Sequence, residues 1–200
     1  MNWRIRLKGI PLLIGGLWAC AAVFVSGCDS STTKWREQVE LKGGQILTVS
    51  RSMTFRCQQP LGGQGTCVET AGSLEVLGAG DLPVWSEPMI PLLLDKDPST
   101  GSLVLVATME NCTTWRQRGQ PRPPYWAFSA SQDGWRESPV PEPLYGRVPN
   151  LMIQIGEALD GRAVTAAQKR STALVPYGFS IKYQSINRGA KSKCMPATIN

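Results

Sequence analysis

The 200-residue chain contains no histidine. This excludes a Ser-His-Asp triad, a Cys-His dyad and any imidazole-bound metal, leaving carboxylates, lysines and thiols as the groups able to do chemistry. Asp95 and Asp97 form the one close aspartate couple. With Ser99 they fall at ligand positions 1, 3 and 5 of an EF-type calcium loop, which requires glycine at position 6 and an acid at position 12. Those places hold Thr100 and Val106, with Gly101 one residue late. Pro98 and Gly101 instead mark a hairpin turn, where an aspartate side chain caps the backbone. We therefore expect no catalytic residue, no metal and no cofactor. Among the aromatic residues, Trp126 and Phe128 share one strand face and Trp135 lies across a turn. They read as a platform for a sugar ring or a partner, or, more strongly, as cross-strand core packing.

The N-terminus carries a different chemistry. Arg4, Arg6 and Lys8 precede an apolar run from Ile10 to Val25, broken by Pro11, Gly15 and Gly16. A positive segment followed by an apolar core is the secretory pattern, and the run is shorter than the roughly 20 residues of a membrane-spanning helix. The run ends in Val25-Ser26-Gly27-Cys28. These four residues resemble the lipobox of bacterial lipoprotein precursors, an aliphatic residue and two small ones before an obligatory cysteine. The resemblance implies cleavage before Cys28, transfer of a diacylglyceryl group to its thiol, acylation of the new α-amine, and a mature chain anchored in membrane lipid. Asp29 resembles the signal that retains enteric lipoproteins in the inner membrane, so the expected address is the periplasmic face of the envelope, inner membrane slightly favoured. Leu93 to Ala107 and Tyr125 to Pro141 resemble segments of small Gram-negative envelope lipoproteins, and that resemblance implies no activity.

Without Arg4, Arg6 and Lys8, 18 basic side chains face 15 acidic ones. The balance is too slight to suggest nucleic acid, a partner that export also disfavours. Loss of Cys20 with the signal and acylation of Cys28 leave Cys57, Cys67, Cys112 and Cys194. An even count in an oxidising compartment predicts two disulfides, for which three connectivities exist. Pro60, Gly62, Gly63 and Gly65 lie between Cys57 and Cys67 and favour closing that loop, which would leave Cys112 to staple the tail at Cys194.

The elements that must position these residues read as strands. Gln38 to Cys57 is predicted to be a hairpin turning at Lys42-Gly43-Gly44. Its second strand alternates strictly: Leu47, Val49, Met53, Phe55 and Cys57 against Thr48, Ser50, Ser52, Thr54 and Arg56, with Arg51 interrupting the apolar face. Leu74–Leu77, Pro91–Leu94, Leu103–Thr108, Cys112–Arg116, Tyr125–Ala130, Trp135–Glu137, Leu151–Ile155 and Tyr177–Gln184 read as further strands, and Val164–Leu174 alone as helical. Short strands between Gly/Pro turns predict an all-β, mainly antiparallel sandwich or barrel-like domain. The expected organisation is a signal peptide over 1–27, a lipidated end and polar tether over 28–34, a β-rich domain over 35–186 and a basic tail over 187–200.

Two proline-rich stretches, Gly119–Pro124 and Pro139–Pro143, read as stiff loops. Pro121, Pro123 and Pro124, with Trp126, Phe128 and Trp135, form the candidate contact surface. The function expected from these features is that of a membrane-anchored, non-enzymatic binding or scaffold module with an envelope protein as partner. The alternatives are a histidine-free carboxylate hydrolase of the envelope, and a glycan- or lipid-binding lipoprotein with an aromatic surface.

Overall fold

In a computed structural model, the described residues are 29–58, 66–109, 111–153, 160–170, 185–192 and 194–195. They form an all-β sandwich of two open sheets, antiparallel apart from one short pairing. The first sheet is built on three long strands, β1 (Asp29–Glu40), β2 (Ile46–Gln58) and β3 (Thr66–Leu77). The predicted first hairpin is there, its turn made by Gly43 and Gly44 at positive φ, which glycine adopts without steric cost. β4 (Trp85–Glu87) flanks β3, and β9 (Ala163–Val164) pairs in parallel with Arg36 and Glu37 of β1. The second sheet is a simple meander of β5 (Ile90–Lys96), β6 (Leu103–Thr108), β7 (Trp126–Ser131) and β8 (Gly134–Ser138).

The two sheets use different hydrophobic patterns. In the first, Trp35, Val39, Val49, Met53, Leu74 and Val76 point inward and are buried. The opposite face carries hydroxyls, among them a Ser52–Ser73 hydrogen bond of 2.8 Å and a Thr32–Thr54 bond of 2.9 Å. In the second sheet β5 and β6 are covered on both faces. Val104 and Val106 of β6 pack with Trp35, Leu144, Met152 and Ile186, whereas Leu105 and Ala107 pack with Val49, Trp85, Trp115 and Phe128. Successive strand residues face opposite ways, so a continuous apolar run such as Leu103–Ala107 is what a strand buried on both sides requires. Each fully buried aliphatic side chain of this kind stabilises by about 1.5–3 kcal/mol. Gly72 marks the junction: a Cβ there would lie 2.5 Å from the Met89 carbonyl oxygen, where the chain passes from β4 to β5.

Several expectations need correction. Ser30–Lys34, expected as a tether, belongs to β1 and is paired residue by residue with β2. Its run of hydroxyl residues, Ser30 to Thr33, reads as polar linker only when the partner strand is ignored. Cys112–Arg116, expected as a strand, lies in α1 (Cys112–Gln117). The Asn111 side chain accepts hydrogen bonds from Thr113 N and Thr114 N at 3.0 and 3.2 Å, an N-cap that starts a helical turn and lets Trp115 bury. Leu151–Ile153 are buried but irregular, held by backbone bonds such as Leu151 N to Leu92 O, and the rest of that expected strand lies outside the described residues. So does Tyr177–Gln184. Of the expected helix, Ala166–Arg170 form α2, Val164 ends β9, and residues beyond 170 are outside the described set.

Both disulfides pair as predicted. Cys57–Cys67 bridges directly opposed residues of β2 and β3, and Cys112–Cys194 fastens the C-terminal segment to the start of α1. Ile186 and Cys194 are buried, so the core extends past residue 186 into the expected tail.

Candidate functional site

The residue that breaks the apolar face of β2 organises the most unusual chemistry of the interior. Arg51 is buried, and its Nη1 donates to Glu37 Oε1 at 2.6 Å and to the Met152 carbonyl at 2.8 Å. Its guanidinium also lies 4.7 Å from the Trp35 ring centroid, within cation–π range. Glu37 is buried with it and accepts further bonds from Trp35 Nε1 at 3.2 Å and from Met152 N at 3.1 Å. Lys169 reaches in from α2, its Nζ 2.7 Å from Glu37 Oε2 and 2.5 Å from the Asn150 carbonyl. One carboxylate thus serves two cations, and those cations come from elements far apart in sequence.

Burial works against ionisation of Glu37, but the Arg51 and Lys169 charges and their hydrogen bonds outweigh it and hold the carboxyl below its usual range. Burial pulls the Lys169 and Arg51 pKa values down, partly offset in each by Glu37. A carboxylate in this setting stays charged and fully bonded. It lacks the raised pKa that a general acid needs near neutrality.

Above this cluster lies a cleft of about 370 Å³ between the end of β1, the Arg147–Asn150 segment and α2. Its walls include Glu40, Leu41, Val148, Lys169 and Arg170. The cations on this wall are matched from within the chain: Arg147 lies 2.6 Å from the buried Asp95 carboxylate, Arg170 pairs with Glu40, and Lys169 pairs with Glu37. Asn150 clamps the two sheets together. Its side chain bonds the Leu94 N–H and carbonyl at 2.9 and 2.8 Å and the Glu40 carbonyl at 3.0 Å. The cleft is an ionically braced recess with an exposed apolar lip at Val148. A second cleft of about 690 Å³ lies at the same end, lined by Ala79, Asp81, Leu82, Leu103 and Ser131 among others.

The expected contact surface does not assemble. Trp126 and Phe128 are core residues, Phe128 meeting Trp85 edge-on with centroids 5.5 Å apart. Trp135 is half-buried and spends its indole N–H on the Pro83 carbonyl at 2.8 Å. These positions offer no exposed aromatic row for a glycan or lipid, because Trp126 and Phe128 are core residues and the Trp135 indole is tied to Pro83. Pro124 is buried, its carbonyl accepting from Thr108 Oγ1, and Pro121 and Pro123 are half-buried in a compact turn. That segment is folded against the sheet and is not a free polyproline strand.

Asp95 and Asp97 do not converge on a common ligand. Asp95 caps the Lys42 N–H at 3.0 Å and pairs with Arg147, whereas Asp97 accepts from Ser99 N and Oγ at 2.8 and 2.6 Å, bonds that lower its pKa. This is the turn capping the sequence predicts. Among the described residues no group of three or more acids or cysteines is arranged to hold a metal ion. Cys28 lies outside the described residues. Asp29, its neighbour, is the first residue of β1.

Sequence reasoning noticed Arg51 and missed Glu37, Lys169 and Asn150. An alternation check on β1 would have found Glu37, which shares the face of Trp35, Val39 and Leu41. No protein-family model matches this chain, and neither a curated protein nor a solved structure is significantly similar to it.

Proposed function

We propose that this chain is a bacterial envelope lipoprotein, cleaved before Cys28, acylated there and facing the periplasm, where it works as a non-enzymatic binding or scaffold module through protein contacts. The observation that carries the reading is Val25-Ser26-Gly27-Cys28 at the end of a short apolar run behind three basic residues. Two disulfides that use all four cysteines after Cys28 support an oxidising compartment. The charge-matched state of Glu37 and Asp95 supports a structural rather than a catalytic use of the buried acids. Asp29 favours retention in the inner membrane.

The test is metabolic labelling with a fatty acid, followed by membrane isolation and gentle cross-linking, for the wild type and Cys28→Ala. Label, membrane association and a specific cross-linked envelope protein are expected with the wild type and are lost in the variant. An unlabelled wild type overturns the anchor. Turnover of peptidoglycan that disappears on changing a single carboxylate overturns the non-enzymatic role.

A further inference from the structure

We infer that the end of the long β1–β2–β3 ribbon is the membrane-facing surface of this protein, and that the two clefts described above are presented at the end pointing away from the bilayer. The inference rests on the lipid-anchor reading above and adds an orientation to it.

The argument is one of reach. Cys28 is bonded to Asp29, and Asp29 already pairs with Cys57, which pairs in turn with Cys67. The anchor therefore joins the sheet with no slack, at the level where the Cys57–Cys67 disulfide ties the next two strands together. All twelve residues of β1 are paired with β2, so β1 runs as one continuous strand from the anchor to Glu40. At about 3.3 Å per residue, Asp29 and Glu40 are roughly 36 Å apart. Lateral cover on β1 begins at Lys34, whose N–H and carbonyl meet Asp160 Oδ1 and Gly161 N; on the β3 side the Asn111 N–H, just ahead of α1, donates to Glu69 Oε1 at 3.1 Å, and β4 pairs further along with Gly72–Leu74. Among the described residues, the ribbon end is thus three strands wide. It exposes Arg56 beside its register partner Val68, a cation and an apolar side chain suited to anionic headgroups and the interface below them.

The opposite end is built differently. The braced cleft is lined by Glu40 and Leu41, and the larger cleft by Ala79 and Asp81 just past the end of β3. Ile46, the register partner of Glu40, and Val148, on the lip of the braced cleft, are each at least half exposed and belong to this end as well. An anchor at Asp29 with no flexible leader orients these features toward the periplasm.

The experiment uses the full chain, acylated in its host and reconstituted in phosphatidylethanolamine–phosphatidylglycerol vesicles that contain a headgroup-level quencher lipid. A fluorescent non-natural residue is placed at Val68 in one preparation and at Gln45, in the far turn, in another. The mass of the N-terminal peptide is measured for both. Several-fold stronger quenching at position 68 than at 45 is expected. Equal quenching, or stronger quenching at 45, with Cys28 acylated overturns the orientation and leaves the anchor standing. An unacylated Cys28 overturns the anchor reading and the orientation together.

Discussion

The two sheets solve the same burial problem in opposite ways. The middle of the second sheet is covered on both faces by continuous apolar strands, as in Leu103–Thr108, and its one buried charge, Asp95, sits at the end of β5. The first buries one face only, and into the middle of that face it sets Glu37 and Arg51, with Lys169 closing over them. Apolar packing in the second sheet is non-directional and tolerates adjustment. The ionic cluster in the first fixes a register, because Glu37 has full satisfaction only when β1, β2, the Met152 backbone and α2 are all in place. The difference suggests a division of labour: one sheet supplies the bulk of the hydrophobic stabilisation, and the other specifies how the last segments of the chain dock.

The largest expected effect is in the first sheet. Glu37→Ala leaves Arg51 and Lys169 buried without a counter-charge, and breaking a buried pair in this way costs about 3–5 kcal/mol. Urea unfolding of wild type and variant measures it. Replacing all three charges together, Glu37→Leu with Arg51→Met and Lys169→Met, should recover most of that loss, since apolar residues of similar volume often substitute for buried ion pairs and triads at little cost. A loss under about 1 kcal/mol for the single change would remove the specifying role assigned to the cluster.

Next comes the second sheet. Leu105→Ala removes a fully buried side chain from a strand with no solvent-facing side, for an expected loss of about 2–5 kcal/mol by the same measurement. If this loss were as small as that of a surface change, both-face burial would not be what holds the second sheet.

The pH dependence separates the two regions more sharply. Because the folded-state pKa of Glu37 lies below its ordinary value of 4.5, its contribution is complete above that value and lost as the pH falls through the lower folded one. The stability difference between wild type and Glu37→Gln should therefore be constant near neutrality and shrink below pH 4.5. The difference between wild type and Leu105→Ala should stay flat over the same range. Paired denaturation curves across the acid range check both. A Glu37 difference that persists to the lowest pH would mean that the residue acts through packing.

At the junction, Gly72→Ala sets a methyl against the Met89 carbonyl, backbone that cannot swing away. Overpacking of this kind costs about 1–3 kcal/mol, read as a lowered thermal midpoint. A neutral result would mean that the passage from β4 to β5 yields, and that the sheets are less tightly coupled than the Asn150 clamp implies.

These contrasts also explain what could be read from the residues alone. The strand pattern of β2, the Asp95–Gly101 and Asp133-Gly134 hairpins and both disulfides were legible, because each depends on alternation, turn chemistry or cysteine count within a short span. α1 was not, since a single Asn111 cap overrode a strand-like stretch. The first residues of β1 read as tether because a polar strand end looks like linker until its pairing is known. The buried cluster was half legible. Arg51 stood out against its own strand, but its partners come from β1 and from α2, and Lys169 lies 132 positions from Glu37. No local rule joins residues so far apart. The aromatic platform failed because Trp126 and Phe128 lie where β7 is buried on both faces, which leaves Trp135 of β8 without a row to join.

The smallest expected effect tests the one face the structure leaves polar. Ser52 and Ser73 are register partners on the outer side of the first sheet, and their hydroxyls bond each other at 2.8 Å. Changing both to valine removes donor and acceptor together, so no orphaned group remains, and valine favours the pleated backbone. The double variant should match wild-type stability to within about 1 kcal/mol in urea. Compared with Leu105→Ala, that outcome would confirm that one sheet has a solvent side and the other does not. A loss well above 1 kcal/mol would mean that the hydroxyl face is covered, and would move the search for a contact surface from the two clefts to the outer face of the first sheet.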